Sequence, residues 1–99
     1  MMFMTQKIER TFAKTGSQDG NSNPVVIAKY FNPCGAATWY LTEYDPESRV
    51  FFGYVTGLGH DEWGYVSRDE LESIRLRWGL KIERDLHWTP KPFSVAVGK

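Results

Sequence analysis

The sequence predicts a single α+β domain over residues 1–99, with an antiparallel sheet of about five strands, one main capped helix and a short N-terminal helix. Three observations lead to this prediction. The length of 99 residues is that of one domain. Residues 25–56 are rich in β-branched and aromatic side chains, and clusters of turn-forming residues interrupt them. A helix-start pattern at Ser67 precedes a segment of helical periodicity.

The first element is a short amphipathic helix. Met4, Ile8 and Phe12 recur every four residues, which places them on one stripe of a helix over about residues 5–14. The first residue of this range is a threonine, which can cap the helix. Residues 15–24, TGSQDGNSNP, have the Gly, Ser, Asn and Asp content of a loop. We expect this loop to be exposed and flexible.

Three runs of strand-forming residues follow the loop: VVIAKYF, ATWYLTEY and RVFFGYVT. The turn clusters NPCG and DPES separate them, an arrangement typical of an antiparallel meander. Successive side chains of a strand point to opposite faces, and aromatic residues occupy both sets of positions. Both faces of the sheet should therefore be covered at least in part.

The main helix follows a short strand, WGYV. The S-x-x-E pattern of a capping box begins at Ser67. Leu71, Ile74 and Trp78 then recur at spacings of three and four, which predicts a buried stripe. A glycine directly after Trp78 occupies the usual position of a C-terminal cap. We predict a helix over about residues 68–78.

A period of two returns after the helix and predicts a last strand over residues 80–88. Its apolar face would carry Leu80, Ile82, Leu86 and Trp88, and its polar face Lys81, Glu83, Asp85 and His87. With the inward faces of the other elements, this strand completes the predicted core: Ile27, Phe31, Trp39, Leu41, Phe52, Tyr54, Leu71, Ile74 and Ile82.

The polar face of this strand raises a functional question, because two carboxylates and an imidazole can form an acid/base or metal site. Glu83, Asp85 and His87 stand about 7 Å apart in succession, twice the strand rise, so the carboxylates do not share a proton. A solvated sheet face is the favoured interpretation. The alternative, a binding or metal role, needs ligands from elsewhere, and the only other histidine is His60.

Arg84 is the exception on the apolar face. A guanidinium in that position needs a carboxylate or carbonyl partner to offset its desolvation. Glu43 or Glu62 could supply the carboxylate, and a structural ion pair is the favoured interpretation. Binding of a phosphate or carboxylate ligand is the alternative.

The loop HDEW places His60, Asp61 and Glu62 next to Trp63. A polar loop is favoured, with a ligand-facing loop as the alternative. The candidates for binding across the chain are therefore His60, Asp61, Glu62, Trp63, Glu83, Arg84, Asp85, His87 and Trp88. No residue set matches a catalytic or metal-binding motif, so we assign no catalytic residue, metal ligand or cofactor.

The charge balance and the cysteine content bear on the partners and the cellular location of the protein. Lys plus Arg and Asp plus Glu both number 12, whereas proteins that bind nucleic acid through phosphates usually show a basic excess. Nucleic acid is therefore a disfavoured partner, although the balance leaves it open. The single Cys34 has no partner for a disulfide, and no apolar run approaches the about 20 residues of a membrane span. We expect a cytoplasmic protein without a membrane partner.

The order of the segments FFGYV, EWGY and IERD, with their spacing, resembles a small bacterial family, domain of unknown function 2958. The resemblance covers about residues 28–92. Members are common on conjugative elements, plasmids and phages, which implies an accessory role in transfer, maintenance or host defence. The family carries no established activity, so the resemblance assigns no catalytic residue.

Two hypotheses follow. The first is a non-enzymatic interaction module of a mobile genetic element, which binds a host or element-encoded protein; the abundant Trp and Tyr suit an interface and leave room for a homodimer. The alternative is a nucleic-acid-binding or metal-assisted nuclease-like protein that uses Glu83, Asp85, His87 and His60. This alternative requires the four side chains to converge in one cleft.

Overall fold

A computed structural model describes residues 2–98, and it confirms the predicted α+β class. The elements in chain order are α1 (Gln6–Thr15), β1 (Val25–Val26), β2 (Ala28–Phe31), β3 (Thr38–Asp45), β4 (Val50–Thr56), β5 (Glu62–Ser67), α2 (Arg68–Ser73), a 3-10 turn (Arg77–Gly79), β6 (Glu83–Arg84), β7 (Lys91–Pro92) and α3 (Phe93–Ala96). Within residues 2–98 no helix has the combined length and apolar character that a membrane span requires.

Five strands form the main antiparallel sheet, in the order β5-β4-β3-β2-β6. The neighbours β2, β3, β4 and β5 are consecutive in the chain, as the predicted meander requires. β6 adds two residues beyond β2, so the two edges of the sheet are the six-residue β5 and the much shorter β6. β1 and β7 form a separate two-stranded sheet.

The N-terminal helix forms as predicted. The Thr5 hydroxyl accepts a hydrogen bond from the backbone N–H of Ile8 at 3.1 Å, which caps α1. α1 packs on one face of the main sheet through Phe12, whose ring lies 5.9 Å from that of Tyr44 and 5.8 Å from that of Phe51. We call this side of the sheet the covered face. Its buried core consists of Phe3, Met4, Phe12, Ile27, Ala28, Tyr30, Ala37, Trp39, Leu41, Tyr44, Phe51, Leu71 and Ile82.

The residues before α1 belong to this core because Tyr30 anchors them. The ring of Phe3 lies 4.5 Å from that of Tyr30, and the Tyr30 hydroxyl donates a hydrogen bond to the carbonyl oxygen of Phe3. Burial raises the pKa of Tyr30 well above its ordinary value, so the hydroxyl remains a donor.

A β-bulge in β3 decides which aromatic residues reach the covered face. Leu41 pairs with Gly53 and Glu43 with Phe52, so Thr42 is an extra residue. The bulge reverses the alternation, and Tyr44 therefore joins Leu41 on the covered face. Thr42 is buried, and its hydroxyl donates to the carbonyl of Phe52 at 3.2 Å.

The predicted core was partly wrong. Ile27, Trp39, Leu41, Leu71 and Ile82 are buried as predicted. Phe31, Phe52 and Tyr54 are instead half-buried, and Ile74 is exposed. In β4 the two sets of alternating positions are both apolar, and the structure buries Phe51 on the covered face rather than its neighbour Phe52.

The main helix is shorter than predicted. The Ser67 hydroxyl accepts from the N–H of Glu70 at 3.2 Å, as expected of its cap, but α2 ends at Ser73 and not at residue 78. The chain turns there because Leu76, rather than Ile74 or Trp78, packs against the core. A short segment with Ser and a β-branched residue at its end has little intrinsic helix stability to oppose this packing.

α2 is tied to the rest of the domain by its first residue. The Arg68 guanidinium donates to Glu9 of α1 at 3.2 Å and to the Tyr44 hydroxyl at 3.0 Å. Leu71 is the buried contact of α2 with the covered face. One arginine and one leucine thus position a helix of six residues.

The predicted strand over residues 80–88 is also wrong in extent, since only Glu83–Arg84 pairs with the sheet. The Asp85 carboxylate accepts a hydrogen bond from the backbone N–H of His87 at 3.0 Å, a local turn that competes with strand pairing. The alternation is lost beyond this point. Leu86, predicted to lie on the apolar face of this strand, is exposed.

The loop over residues 15–24 is anchored at its middle. The Gln18 side chain donates to the carbonyls of Val25 and Thr42, each at 2.8 Å, and accepts from the N–H of Val25. Its backbone N–H donates to Glu43 at 3.0 Å. The flexibility of the flanking residues stays a prediction.

Candidate functional site

The side of the sheet opposite α1 carries a continuous set of aromatic side chains. We call this set the aromatic face: Tyr40, Phe52, Tyr54, Trp63, Tyr65, Trp88 and Phe93. The strand register creates its central part, because Tyr54 lies directly opposite both Tyr40 and Trp63, and Phe52 lies opposite Tyr65. Directly opposed residues of adjacent strands share a face and contact each other.

Trp63 is the centre of this surface. Its ring lies 5.9 Å from that of Phe52 and nearly parallel to it, 5.2 Å from Tyr54 and 4.7 Å from Phe93. The Tyr65 ring lies 5.0 Å from Phe52 in an edge-on arrangement. These spacings are those of favourable aromatic pairs, so the rings hold one another in position.

Within residues 2–98 the C-terminal segment covers part of the aromatic face, and loop residues from Gln18 to Pro24 border Phe52 and Trp63. Phe93, at the start of the four-residue α3, packs on Tyr54 at 4.9 Å. Its N–H donates to the carbonyl of Pro24 at 2.8 Å, which fixes the segment to the start of β1. The cover reaches β5 only through the contact of Phe93 with Trp63, and it leaves Trp63 39% exposed and Tyr65 80% exposed.

The end of the aromatic face nearest β2 is cationic. The ammonium of Lys91 lies 4.0 Å from the centre of the Trp88 ring, and that of Lys29 lies 5.6 Å from Trp88 and 5.7 Å from Tyr40. The indole N–H of Trp88 donates to the Val26 carbonyl at 3.0 Å. Burial, and secondarily the charge of Asp61, raise the pKa of Tyr40, which therefore stays neutral.

The free edge of β5 adjoins the most exposed part of the aromatic face. The N–H of Arg68 donates to the carbonyl of Arg49, which makes these two a hydrogen-bonded pair. Hydrogen-bonded and non-bonded pairs alternate along an antiparallel ladder, so the backbone groups of Trp63 and Tyr65 point away from β4. Within residues 2–98 no strand pairs with this edge. Two donors and two acceptors are therefore open to a partner strand.

The first group of predicted candidates lies beside this edge. His60, Asp61 and Glu62 are exposed, and the Asp61 carboxylate accepts from the N–H of Gly57 at 3.3 Å, which folds the loop on itself. His60 and Glu62 line an open cavity of about 490 Å³ between β5 and α2, together with Leu71.

The second group lies at the opposite edge of the sheet. Asp85 is 4.0 Å from the Lys29 ammonium, Glu83 is half-buried and His87 is exposed. Arg84, Asp85 and Trp88 line a cleft of about 320 Å³ against α1. The cleft is small and carries both signs of charge.

Arg84 does not have the predicted carboxylate partner. It lies opposite Tyr30, as expected of the apolar face, but its guanidinium donates two hydrogen bonds to the backbone carbonyl of Met2, at 3.0 and 3.3 Å. Glu43 is engaged by Gln18 instead, and Glu62 lies at the far edge of the sheet. The side chain escapes desolvation because it reaches the rim of the sheet, where it is only half-buried.

The structure therefore does not bring the predicted acid and histidine side chains together. β5, beside which His60 lies, and β6, which carries Glu83, are separated by four strand spacings, about 19 Å. Across residues 2–98 no three His, Cys, Asp or Glu side chains are placed to hold one metal ion. Among the predicted candidates, Trp63 and Trp88 belong to the aromatic face.

Sequence reasoning missed the other members of that face because aromatic residues on strands were assigned to the core by default. A signal was present: the alternating aromatics of FFGYV and of EWGY have matching positions in adjacent strands. The sequence does not show which face of the sheet α1 covers.

One family model matches residues 3–97, nearly the whole chain, and its description is "Protein of unknown function (DUF2958)". The match extends beyond residues 28–92, the region of the resemblance. Neither a search of curated proteins nor a search of solved structures returned a match.

Proposed function

The chain belongs to the DUF2958 family of proteins of unknown function, and we propose that it is a non-enzymatic interaction module that binds a protein through the aromatic face and the free edge of β5. We further propose that it acts in the cytoplasm as an accessory protein of a mobile genetic element, in transfer, maintenance or modulation of host defence. The occurrence expected of the family motivates this second part.

The observation that carries the proposal is the exposure of Trp63 and Tyr65 on an edge strand whose outward backbone groups have no partner strand within residues 2–98. Trp and Tyr are the residues most enriched at energetic centres of interfaces. Long exposed edge strands invite pairing, and proteins usually blunt them with charges, prolines or bulges. β5 has one charged residue, Glu62, and no proline or bulge.

The geometry specifies a mode of binding. A partner segment in extended conformation would pair with the outward N–H and C=O groups of Trp63 and Tyr65, as in β-strand addition. Every second side chain of that segment would then lie on the aromatic face beside the Trp63 and Tyr65 rings. Backbone pairing supplies affinity, and the aromatic contacts select the sequence.

The test is affinity capture from a bacterial host extract, followed by direct titration of the purified partner. We expect wild type and Tyr65→Phe to bind it, and Tyr65→Ala to weaken binding at least about tenfold, since a central aromatic contact contributes 2 kcal/mol or more. Leu58→Ala is the matched control, because Leu58 is 65% exposed but lies outside the aromatic face.

Two results would contradict the proposal. One is a partner whose affinity does not change in Tyr65→Ala or Trp63→Ala. The other is self-association: a wild-type dimer in sedimentation that dissociates in Tyr65→Ala would assign the edge to a second copy of the chain.

No observation favours the metal-assisted nuclease-like alternative. It needs Glu83, Asp85, His87 and His60 in one cleft, and within residues 2–98 these side chains lie at opposite edges of the sheet.

A further inference from the structure

The eight residues that follow α2, residues 74–81, concentrate positive charge. They contain Arg75, Arg77 and Lys81 and no acidic residue. The whole chain has 12 basic and 12 acidic residues, so the remainder has nine basic against 12 acidic. We call residues 74–81 the basic turn, a positive site on an otherwise acidic molecule.

Trp78 stands at the tip of the basic turn and is 84% exposed, more than any other large hydrophobic residue within residues 2–98. Its backbone is left-handed, with φ 57° and ψ 28°, and that of Gly79 follows with φ 74°. Gly, Asn and Asp are the residues that usually occupy such turn positions, and a bulky aromatic there is uncommon.

The turn is nevertheless held in one conformation. The N–H of Leu76 donates to the carbonyl of Leu80 at 2.8 Å, and the N–H of Leu80 donates to the carbonyl of Arg77 at 3.1 Å. Leu76 packs against the core of the covered face. A tryptophan that gains no burial and adopts a strained conformation on a fixed turn points to a role outside folding.

The three cations of the turn are available to a ligand. Within residues 2–98 the ion pairs involve other residues, and none includes Arg75, Arg77 or Lys81. The Arg75 guanidinium makes only long contacts, 3.2 and 3.3 Å, with the backbone carbonyls of Glu72 and Ile74.

We propose that the basic turn binds single-stranded nucleic acid, with Trp78 stacked on a base and Arg75, Arg77 and Lys81 in contact with phosphates. An exposed aromatic ring between cations is the combination that single strands require, because every base has a face to stack and every linkage has a charge. Arginine suits this role further, since its planar guanidinium both grips phosphate oxygens and stacks on bases.

An anionic membrane surface is the competing partner, and the turn suits it less. Interfacial binding grows with the apolar area that enters the lipid. Beside Trp78, the apolar residues of the turn are only about one-third exposed, Ile74 at 36% and Leu80 at 37%. A single ring would therefore have to supply nearly all of the insertion.

The site goes beyond the proposed interaction with a protein. Its first residue, Ile74, lines the cavity that Glu62 and Tyr65 of β5 also line, but Trp78 and the three cations are not part of the surface proposed to bind a protein. Leu71 and Leu76, which flank the start of the turn, pack on the covered face, on the opposite side of the sheet from Tyr65. The residues proposed to contact nucleic acid are therefore different from those proposed to contact a protein. The two proposals can consequently fail independently.

The test is fluorescence anisotropy of labelled oligothymidylate and oligouridylate of about 15 nucleotides, a length that covers one small binding site. Three phosphate contacts predict a slope of log K against log salt of about −2, at roughly 0.7 per contact. We expect Arg77→Gln to reduce the slope by about 0.7, and Lys14→Gln, an exposed lysine elsewhere, to leave it unchanged.

Trp78→Asn should weaken binding at least about fivefold, the low end of the loss of one base-stacking contact, while Tyr65→Ala should not change it. We expect the protein to bind both oligonucleotides, because stacking and phosphate contacts are available in DNA and in RNA. Preference for one of them would indicate an additional contact that distinguishes DNA from RNA. Circular dichroism of Trp78→Asn checks that the fold is retained.

Absence of binding to both oligonucleotides at about 50 mM salt, where phosphate contacts are strong, would overturn the proposal. An affinity for the oligonucleotides that is the same in wild type and Trp78→Asn would also overturn it. Sedimentation with vesicles of phosphatidylserine and phosphatidylcholine completes the test: Trp78-dependent binding to vesicles without binding to oligonucleotides would assign the turn to a membrane surface.

Discussion

The two faces of the sheet carry the same aromatic residue types, but one face buries them in the core and the other leaves them partly exposed. Phe51 and Phe52 are neighbours in β4, yet Phe51 is completely buried beneath α1 and Phe52 lies on the half-open aromatic face. Tyr30 and Tyr65 differ in the same way, with exposures of 0% and 80%. Aromatic content therefore does not separate packing from recognition. The elements that cover each face make the difference.

The covers differ in kind. α1 is a ten-residue helix that packs through the buried Phe12, whereas the aromatic face meets the four-residue α3 and an irregular loop and stays partly open. Burial of apolar area is the main source of stability, so the covered face should carry most of the free energy of unfolding. Matched substitutions on the two faces test this difference in stability.

The largest expected effect is that of Phe51→Ala. Truncation of a fully buried phenylalanine leaves a cavity and should lower the free energy of unfolding by about 3–5 kcal/mol. Phe52→Ala should cost no more than about half of that, because part of its ring is already in water. Urea denaturation of both variants measures the difference, and equal losses would show that the aromatic face is also a structural core.

Tyr30→Phe tests a single polar group of the covered face. Loss of the hydroxyl leaves the buried carbonyl of Phe3 without its donor, which should cost about 1–3 kcal/mol. Thermal melts compare this variant with Tyr54→Phe on the other face, for which we expect less than about 0.5 kcal/mol. An unchanged melting temperature for Tyr30→Phe would mean that this hydrogen bond does not hold the N-terminal residues in place.

Arg84→Ala should have a moderate effect, of about 1 kcal/mol. Its hydrogen bonds to the carbonyl of Met2 are lost, but no buried carboxylate is left unpaired. Glu83→Ala and His87→Ala should stay within about 0.5 kcal/mol, the usual scale of surface substitutions. A loss of several kcal/mol for Arg84→Ala in chemical denaturation would restore the buried ion pair that the sequence predicted.

Trp78→Asn should not lower stability, and we expect a change between zero and a gain of about 1 kcal/mol. Asparagine tolerates the left-handed backbone, in which a residue such as tryptophan is strained by about 1–3 kcal/mol. Differential scanning calorimetry gives the result. A loss of more than about 1 kcal/mol would indicate that the ring contributes to packing after all.

The sequence predicted the elements whose signals are local. The Thr5 and Ser67 caps and the β2–β5 meander are encoded by neighbouring residues, and the structure has them all. The predicted end of α2 was wrong because it depends on which apolar side chains reach the core. Leu76 packs there, and Ile74 and Trp78 remain exposed.

The candidate site was harder to predict because it depends on contacts distant in the chain. Phe93 packs on Trp63, thirty residues earlier, and the bulge at Thr42 exchanges faces within β3. Alternation identifies two faces of a strand but not the one that a helix will cover. The alternative hypothesis required His60 and Glu83 in one cleft, and the strand order places them at opposite edges of the sheet.

Amide hydrogen exchange in β5 shows whether a partner strand pairs with its free edge. In the isolated protein, the N–H groups of Gly64 and Val66, which face β4, should exchange slowly, and those of Trp63 and Tyr65 should exchange fast. With saturating partner, Trp63 and Tyr65 should become protected as well. Fast exchange at both residues in the complex, with protection confined to other parts of the molecule, would contradict the account.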